Sequence, residues 1–249
     1  MKYERSVFIP DIHAPYADGE ALQCAYAFIR TFQPDHVFIM GDVVDFYQLS
    51  KFNKSPERMM ALQSDIDDAV TTLKFIRKIS PNSKMYFLKG NHENRLNTFL
   101  FSRAAELVPL RALKIESLLS LTELGIKYVD TGKMLFHGFL IKHGNVVRTR
   151  SGYSATGERE KAGISGASGH THRLGQVFNT DYTGMTSWTE CGCLCRTDAD
   201  AFDYTEGQIP NWQNGLAYGF FEEGTKRFGI HAIPIIKGSL VYEGKKISG

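Results

Sequence analysis

The sequence predicts an α/β fold, a four-layer α/β/β/α sandwich of two mixed sheets flanked by helices. Three observations lead there. The first half alternates short apolar runs with stretches of helical period, which is the signature of parallel strands joined by crossover helices. After about Leu124 the helical period disappears and short apolar runs follow, separated by Gly, Asn and Asp. No repeat, low-complexity tract or Pro/Ser-rich linker divides the halves, so they should share a core as one domain spanning residues 1–249.

Ser6 to Pro10 is a short apolar run, and Asp18 then starts a segment in which Leu22, Ala25, Phe28, Ile29 and Phe32 recur at helical spacing until Pro34. His36 to Met40 is the second apolar run. Pro56 should open a second helix, with Leu62, Ile66, Val70, Leu73 and Ile76 as one stripe, which Pro81-Asn82 breaks. Lys84 to Lys89 reads as a third strand, and a third helix is expected from about Glu93 to Val108. Parallel strands with right-handed crossovers gather sites beyond their carboxyl ends. The later apolar runs, Phe136 to Lys142, Leu216 to Phe221 and Phe228 to Ile236, make the second half mainly β.

Composition narrows the function classes. The chain has 249 residues, 43% hydrophobic and 22% charged, and a formal net charge of +2, too mild for nucleic-acid binding by bulk field alone. No apolar run approaches a membrane span and no signal-type leader is visible, so a cytoplasmic protein without a membrane partner is expected. Cys24 stands alone, and Cys191, Cys193 and Cys195 alternate in one segment, unlike a disulfide framework. On a strand that period places all three thiols on one face, where they read as small buried apolar groups or, as the alternative, as a metal or redox site.

The chemistry is carried by five blocks in order: Asp11-Ile12-His13; Gly41-Asp42 with Asp45 three residues on; Gly90-Asn91-His92-Glu93; His143-Gly144; and Gly169-His170-Thr171-His172. Imidazole nitrogen with carboxylate and amide oxygen suits first-row transition ions such as Mn, Fe, Zn or Ni better than Mg or Ca, which want nearly all oxygen. Asp11 and His13, two residues apart in an extended turn, can reach one ion. The glycines before Asp42, Asn91 and His170 permit tight turns and close backbone approach.

These blocks resemble the motif series of the calcineurin-like metallophosphoesterases, over the span from Asp11 to His172. The resemblance implies two divalent transition metal ions, with manganese favoured. It places one on Asp11, His13 and His172 and the other on Asn91, His143 and His170, with Asp42 bridging. It implies hydrolysis of a phosphate ester by a metal-bridging hydroxide, the paired ions lowering the water's pKa and clamping the in-line displacement. His92 matches the family histidine that faces the substrate and can protonate the leaving oxygen, and Asp45 the acidic residue that orients it.

One departure bears on the substrate. Protein phosphatases of this superfamily carry Arg-Gly directly after the position matching Asp45, and here Phe46-Tyr47 stand there. Without that bidentate guanidinium, a dianionic phosphomonoester is held less well, so a phosphodiester of a nucleotide or nucleic acid is expected. The alternatives are a phosphomonoesterase and a non-catalytic binding scaffold, although scaffold relatives have lost ligands that are all present here. Arg95, Arg148 and Arg150 are candidate substrate contacts. The last two sit among Lys142, Arg159 and Lys161, against Glu158 and Glu160, in what reads as either a substrate loop or a solvated charged loop. Asp181 to Glu206 is acidic and would repel a polyanion. Trp188, Tyr204 and Trp212 are read as base-stacking residues or as core and rim packing.

Overall fold

The computed structural model describes residues 2–51, 59, 61–198 and 208–249. Pro56, expected to open the second helix, and Tyr204 lie outside the described residues. So does the end of the acidic stretch towards Glu206.

The first half folds as β1 (Tyr3–Ile9), α1 (Gly19–Phe32), β2 (His36–Ile39), α2 (Leu62–Ile79), β3 (Lys84–Leu88) and α3 (Glu93–Arg103). Asp18 caps α1 by accepting the Ala21 N–H at 2.9 Å. Beyond Arg103 the chain continues in single 3₁₀ turns and the one-turn helix α4 (Ile115–Leu118), so the third helix is shorter than its expected end at Val108. The second half supplies β4 (Ile126–Val129), β5 (Lys133–Phe136), β6 (Phe139–Lys142), β7 (Gly166–Ser168), β8 (Leu174–Asp181), β9 (Gly184–Cys191), β10 (Gly215–Glu222), β11 (Phe228–Pro234), β12 (Ser239–Tyr242) and β13 (Lys245–Ser248).

One sheet has the order β11-β10-β1-β2-β3-β4, parallel from β1 to β4 and antiparallel where β10 and β11 join. The other has the order β5-β6-β7-β9-β8, with parallel pairs at its centre and antiparallel pairs at both edges. The fold is an α/β sandwich of two mixed sheets flanked by helices. Strand alternation builds it: Val7, Ile9, Val37 and Ile39 pack with α1 and α2, while the alternate residues Phe8, Phe38 and Met40 meet Phe139, Ile141 and Ala167 of the second sheet. The β12–β13 hairpin lies against α1.

A helix the sequence does not announce, α5 (Tyr153–Ala162), covers the outer face of the second sheet. It crosses the basic stretch expected to be a loop. Its buried face is made of Ser154, Ala155, Gly157 and Glu158, so it carries no apolar stripe to read. A Cβ at Gly157 would meet Val146 Cγ1 at 2.8 Å, so the helix approaches at glycine distance. The cysteines also differ from expectation. Gly192, at φ 80°, turns the chain out of β9. Cys191 therefore joins the inter-sheet core, whereas Cys193 and Cys195 pack with Tyr16 and Trp212. All are buried free thiols.

Candidate metal centre

The five blocks meet where the carboxyl ends of β1, β2, β3, β6 and β7 open between the sheets. The backbone there is unusual: Asp11, His13, Asp42, His170 and His172 have φ of 31°, 52°, 51°, 71° and 57°. Non-glycine residues in this region carry strain of about 1–3 kcal/mol each and persist only where surrounding contacts over-determine them. Gly90 and Gly169 give the clearance, because a Cβ at either would collide with the carboxylate of Asp42 or Asp11.

Donor atoms of Asp11, His13 and His172 form one group in which all lie within 4.8 Å of one another. Asp42 joins two more such groups, one with His13 and His92 and one with His143 and His170. Asn91 Oδ1 completes the second side, 2.9 Å from His143 Nε2 and 2.6 Å from His170 Nδ1. All these residues except Asn91 and His170 are buried, and Asp11 and His13 have no exposed surface.

The rings are held in defined orientations. His143 Nδ1 donates to the Met40 carbonyl at 2.8 Å, which turns Nε2 inward, 3.3 Å from Asp42 Oδ2. His13 Nδ1 lies 3.1 Å from Asp45 Oδ1, and its Nε2 faces His172 Nε2 at 2.9 Å. Such outer partners are what a metal-ligating imidazole normally has. Two ring nitrogens at 2.9 Å need either a shared proton or a cation between them. Burial lowers the pKa of both His13 and His172, reinforced at His172 by the charge of His13 and at both by that of His92, which disfavours the shared proton. Burial and the charge of His143 likewise take His170 down to about 4. The donor set therefore fits divalent cations, and these clusters have the capacity for one or two of them.

Charge is distributed unequally between the carboxylates. Burial pushes Asp11 well above the usual carboxylate range despite His143, and Asp42's charge adds to the rise. Burial also opposes ionisation of Asp42, but His143 and His92 beside it hold that carboxyl well below its usual range. His143 is raised to about 10, burial being outweighed by Asp42.

Of the remaining expected site residues, His92 and Asp45 are in place. Asp45 Oδ1 lies 3.0 Å from His92 Nδ1, and Nδ1 also donates to the Asp45 carbonyl at 2.7 Å. Burial opposes charge on His92, yet Asp42 and Asp45 raise its pKa overall. Arg95 is here too: it donates to the Asp45 carbonyl at 2.8 Å, and its Nη2 is 3.1 Å from His92 Nε2. A cavity of about 310 Å³ above the cluster is lined by Asp42, Asn91, His92, Arg95, Val147 and Trp212 among others. Arg148 and Arg150 do not line it. Trp212 packs edge-on against His172 at 4.4 Å, on the rim, whereas Trp188 is wholly buried and donates to Ser168 Oγ.

Two carboxylates escaped the sequence reading. Glu93, fully buried, accepts N–H groups from Asp42 at 2.9 Å, Gly90 at 2.8 Å, Val43 at 2.9 Å and Val44 at 3.4 Å. It ties the β2 loop to the β3 loop. The available signal was its position three residues after Gly90, an acid in the first turn of a helix. Glu190, also buried, accepts from Thr171 Oγ1 and the Gly152 N–H, and so steadies the Gly169–His172 turn. Nothing local in the sequence marks Glu190. Asp45 also has a second partner, His13, that its spacing alone does not reveal.

Two curated phage proteins are similar over almost their whole length, both called Gene 54 protein: that of Mycobacterium phage D29 is 27% identical, covering 97% of each chain, and that of phage L5 is 25% identical, covering 97% of this chain and 98% of the relative. Among solved structures, a single-substitution Vps29 from Entamoeba histolytica aligns with 98% of this chain and 99% of its own at 12% identity and TM-score 0.47. The nuclease MPE of Pseudomonas putida aligns over 90% and 85% at 15% identity and TM-score 0.34. The family model of the calcineurin-like phosphoesterases matches residues 5–174, which hold all five blocks, and with the clustered donors at the strand ends this chain belongs to that family.

Proposed function

We propose that the protein is a dinuclear-metal phosphodiesterase of the cytoplasm, a single domain, acting on a nucleotide or nucleic-acid diester. The observation that carries the metal reading is the pair of facing nitrogens, His13 Nε2 and His172 Nε2, with Asp11 Oδ1 3.7 Å from the latter. In this reading Asp11, His13 and His172 hold one ion, Asn91, His143 and His170 the other, and Asp42 lies between. Divalent ions there, manganese foremost, would supply Lewis-acid charge and lower the pKa of the attacking water. The side chains do the rest. Asp45 orients His13 and His92 together, and His92 Nε2 carries the proton given to the leaving oxygen. At rest that nitrogen accepts from the Arg95 guanidinium, so it must take up a proton from solvent as Arg95 turns away, towards the phosphoryl oxygens, before it can donate.

The diester preference rests on cationic supply. Phe46, standing where the phosphatases have arginine, is wholly buried, and the guanidinium groups lining the cavity are Arg95, beside His92, and Arg173, directly after His172. Neither stands directly after Asp45, where the phosphatase arginine grips a dianionic monoester, and this supports a monoanionic diester. The test is turnover with Mn added, comparing bis(p-nitrophenyl) phosphate with p-nitrophenyl phosphate. A higher kcat/KM on the diester is expected. Monoester preference would make the protein a phosphomonoesterase, and no turnover with two ions bound would make it a scaffold.

A further inference from the structure

A second cavity, about 670 Å³, runs along α3 and shares Asn91 and Arg95 with the cavity over the metal centre, so the two form one groove. Its wall is a stripe of Arg95, Phe99 and Arg103, at i, i+4 and i+8 on one helical face, with Lys51 opposite from the chain after β2. Phe99 is 41% exposed although large and apolar, and Arg103 and Lys51 are exposed. Among the described residues lining this cavity there is no carboxylate. The groove therefore offers cations at two levels with an aromatic face between them, each step about 6 Å along the helix axis.

We infer that this groove binds a short single-stranded oligonucleotide, its scissile phosphate over the metal centre, a base stacked on Phe99 and a further phosphate held by Arg103 and Lys51. The occupant follows from the chemistry. An anionic chain satisfies cations that have no acidic counterpart among the described residues of the groove, and a flat base covers an exposed ring that solvent does not favour. A phosphopeptide would bring one phosphate and no obligatory flat group, and duplex DNA keeps its bases stacked inside, away from Phe99. The inference rests on the diesterase reading for its direction but not for its measurement, since the groove's cations and ring are present without metals.

The experiment is fluorescence anisotropy of a labelled hexathymidylate against the EDTA-treated protein, alongside hydrolysis of the same oligonucleotide and of bis(p-nitrophenyl) phosphate with Mn. Binding is expected to weaken about tenfold in Phe99→Ala and in Arg103→Ala, the latter also lowering the salt slope by about one. Hydrolysis of the small diester should change less than twofold in both variants, which shows that the centre is intact. Equal oligonucleotide affinity in wild type and variants, no binding at all, or equal binding of a phosphoserine peptide overturns the inference. Small-diester turnover in the same samples then says separately whether the diesterase reading stands.

Discussion

Two regions of this molecule carry dense charge in the sequence, and the fold treats them in opposite ways. At the ends of β1, β2 and β3, the carboxylates and imidazoles are buried and converge within a few ångströms, held by backbone groups or by one another. In residues 142–161, by contrast, Arg148, Arg150 and Lys161 are exposed, and Lys142 is satisfied by Glu158 at 2.7 Å. Arg150 lies over the ring of Tyr153 and not over the cavity. Charge density in a sequence is thus a poor guide to a site. What separates the regions is whether residues stand directly after a strand end, beside a glycine, where the backbone can turn its donors inward.

The largest test of that contrast is Asp42→Asn. Asp42 stands in clusters on both sides of the centre, so its loss should release metal from both, and turnover should fall by about 10³ or more. Metal analysis after gel filtration, with small-diester kinetics, measures it. His92→Asn is the paired control: metal content should stay while a diester with a ribose leaving group slows by about 10² and a nitrophenyl ester much less. Wild-type metal affinity in Asp42→Asn would remove the shared-carboxylate reading, and metal loss in His92→Asn would make His92 a ligand.

The parts of this centre legible in the sequence were those with local spacing. Strands β1, β2, β3, β6, β10 and β11 and helix α1 follow from apolar period, and the five blocks follow from residues adjacent to strand ends. What was not legible depends on contacts between distant segments. Glu190 reaches Thr171 and Gly152 across the second sheet, and Asp45 reaches His13 as well as His92. The helix α5 hides because small residues and one glutamate, not large apolar ones, make its buried face. The cysteine alternation misleads because Gly192 ends the strand on which the period was counted.

Glu93→Ala sharpens the comparison next. The substitution strands N–H groups of Asp42, Gly90 and Val43 in the interior, which should cost about 3 kcal/mol of stability. Urea denaturation of the EDTA-treated protein measures this without metal linkage. Glu93→Gln keeps the volume but sets its amide NH2 against two of these N–H donors, so it should cost nearly as much as alanine. A Glu93→Gln protein as stable as wild type would mean that packing, and not the carboxylate's bonds, is what Glu93 supplies.

The smallest expected effect tests the other region. Glu158 is buried, and burial opposes its charge, but the Lys142 ammonium at 2.7 Å and the N–H groups of Asn145 at 2.7 Å and Val146 at 2.9 Å hold its carboxyl below the ordinary value of 4.5. A depressed folded pKa contributes stability that is complete above the unfolded value and is lost as pH falls through the folded one. Glu158→Gln should therefore cost about 1–2 kcal/mol at neutral pH, and the gap to wild type should close on acidification from pH ~5 to ~3. Urea midpoints of the EDTA-treated proteins at several pH values give the gap. Small-diester turnover should change less than about threefold, because Glu158 pins the segment after His143 without touching the cavity. A gap that does not vary with pH would mean that the ionised carboxylate is not what holds this region. A large loss of turnover would mean that the two charged regions are one site after all.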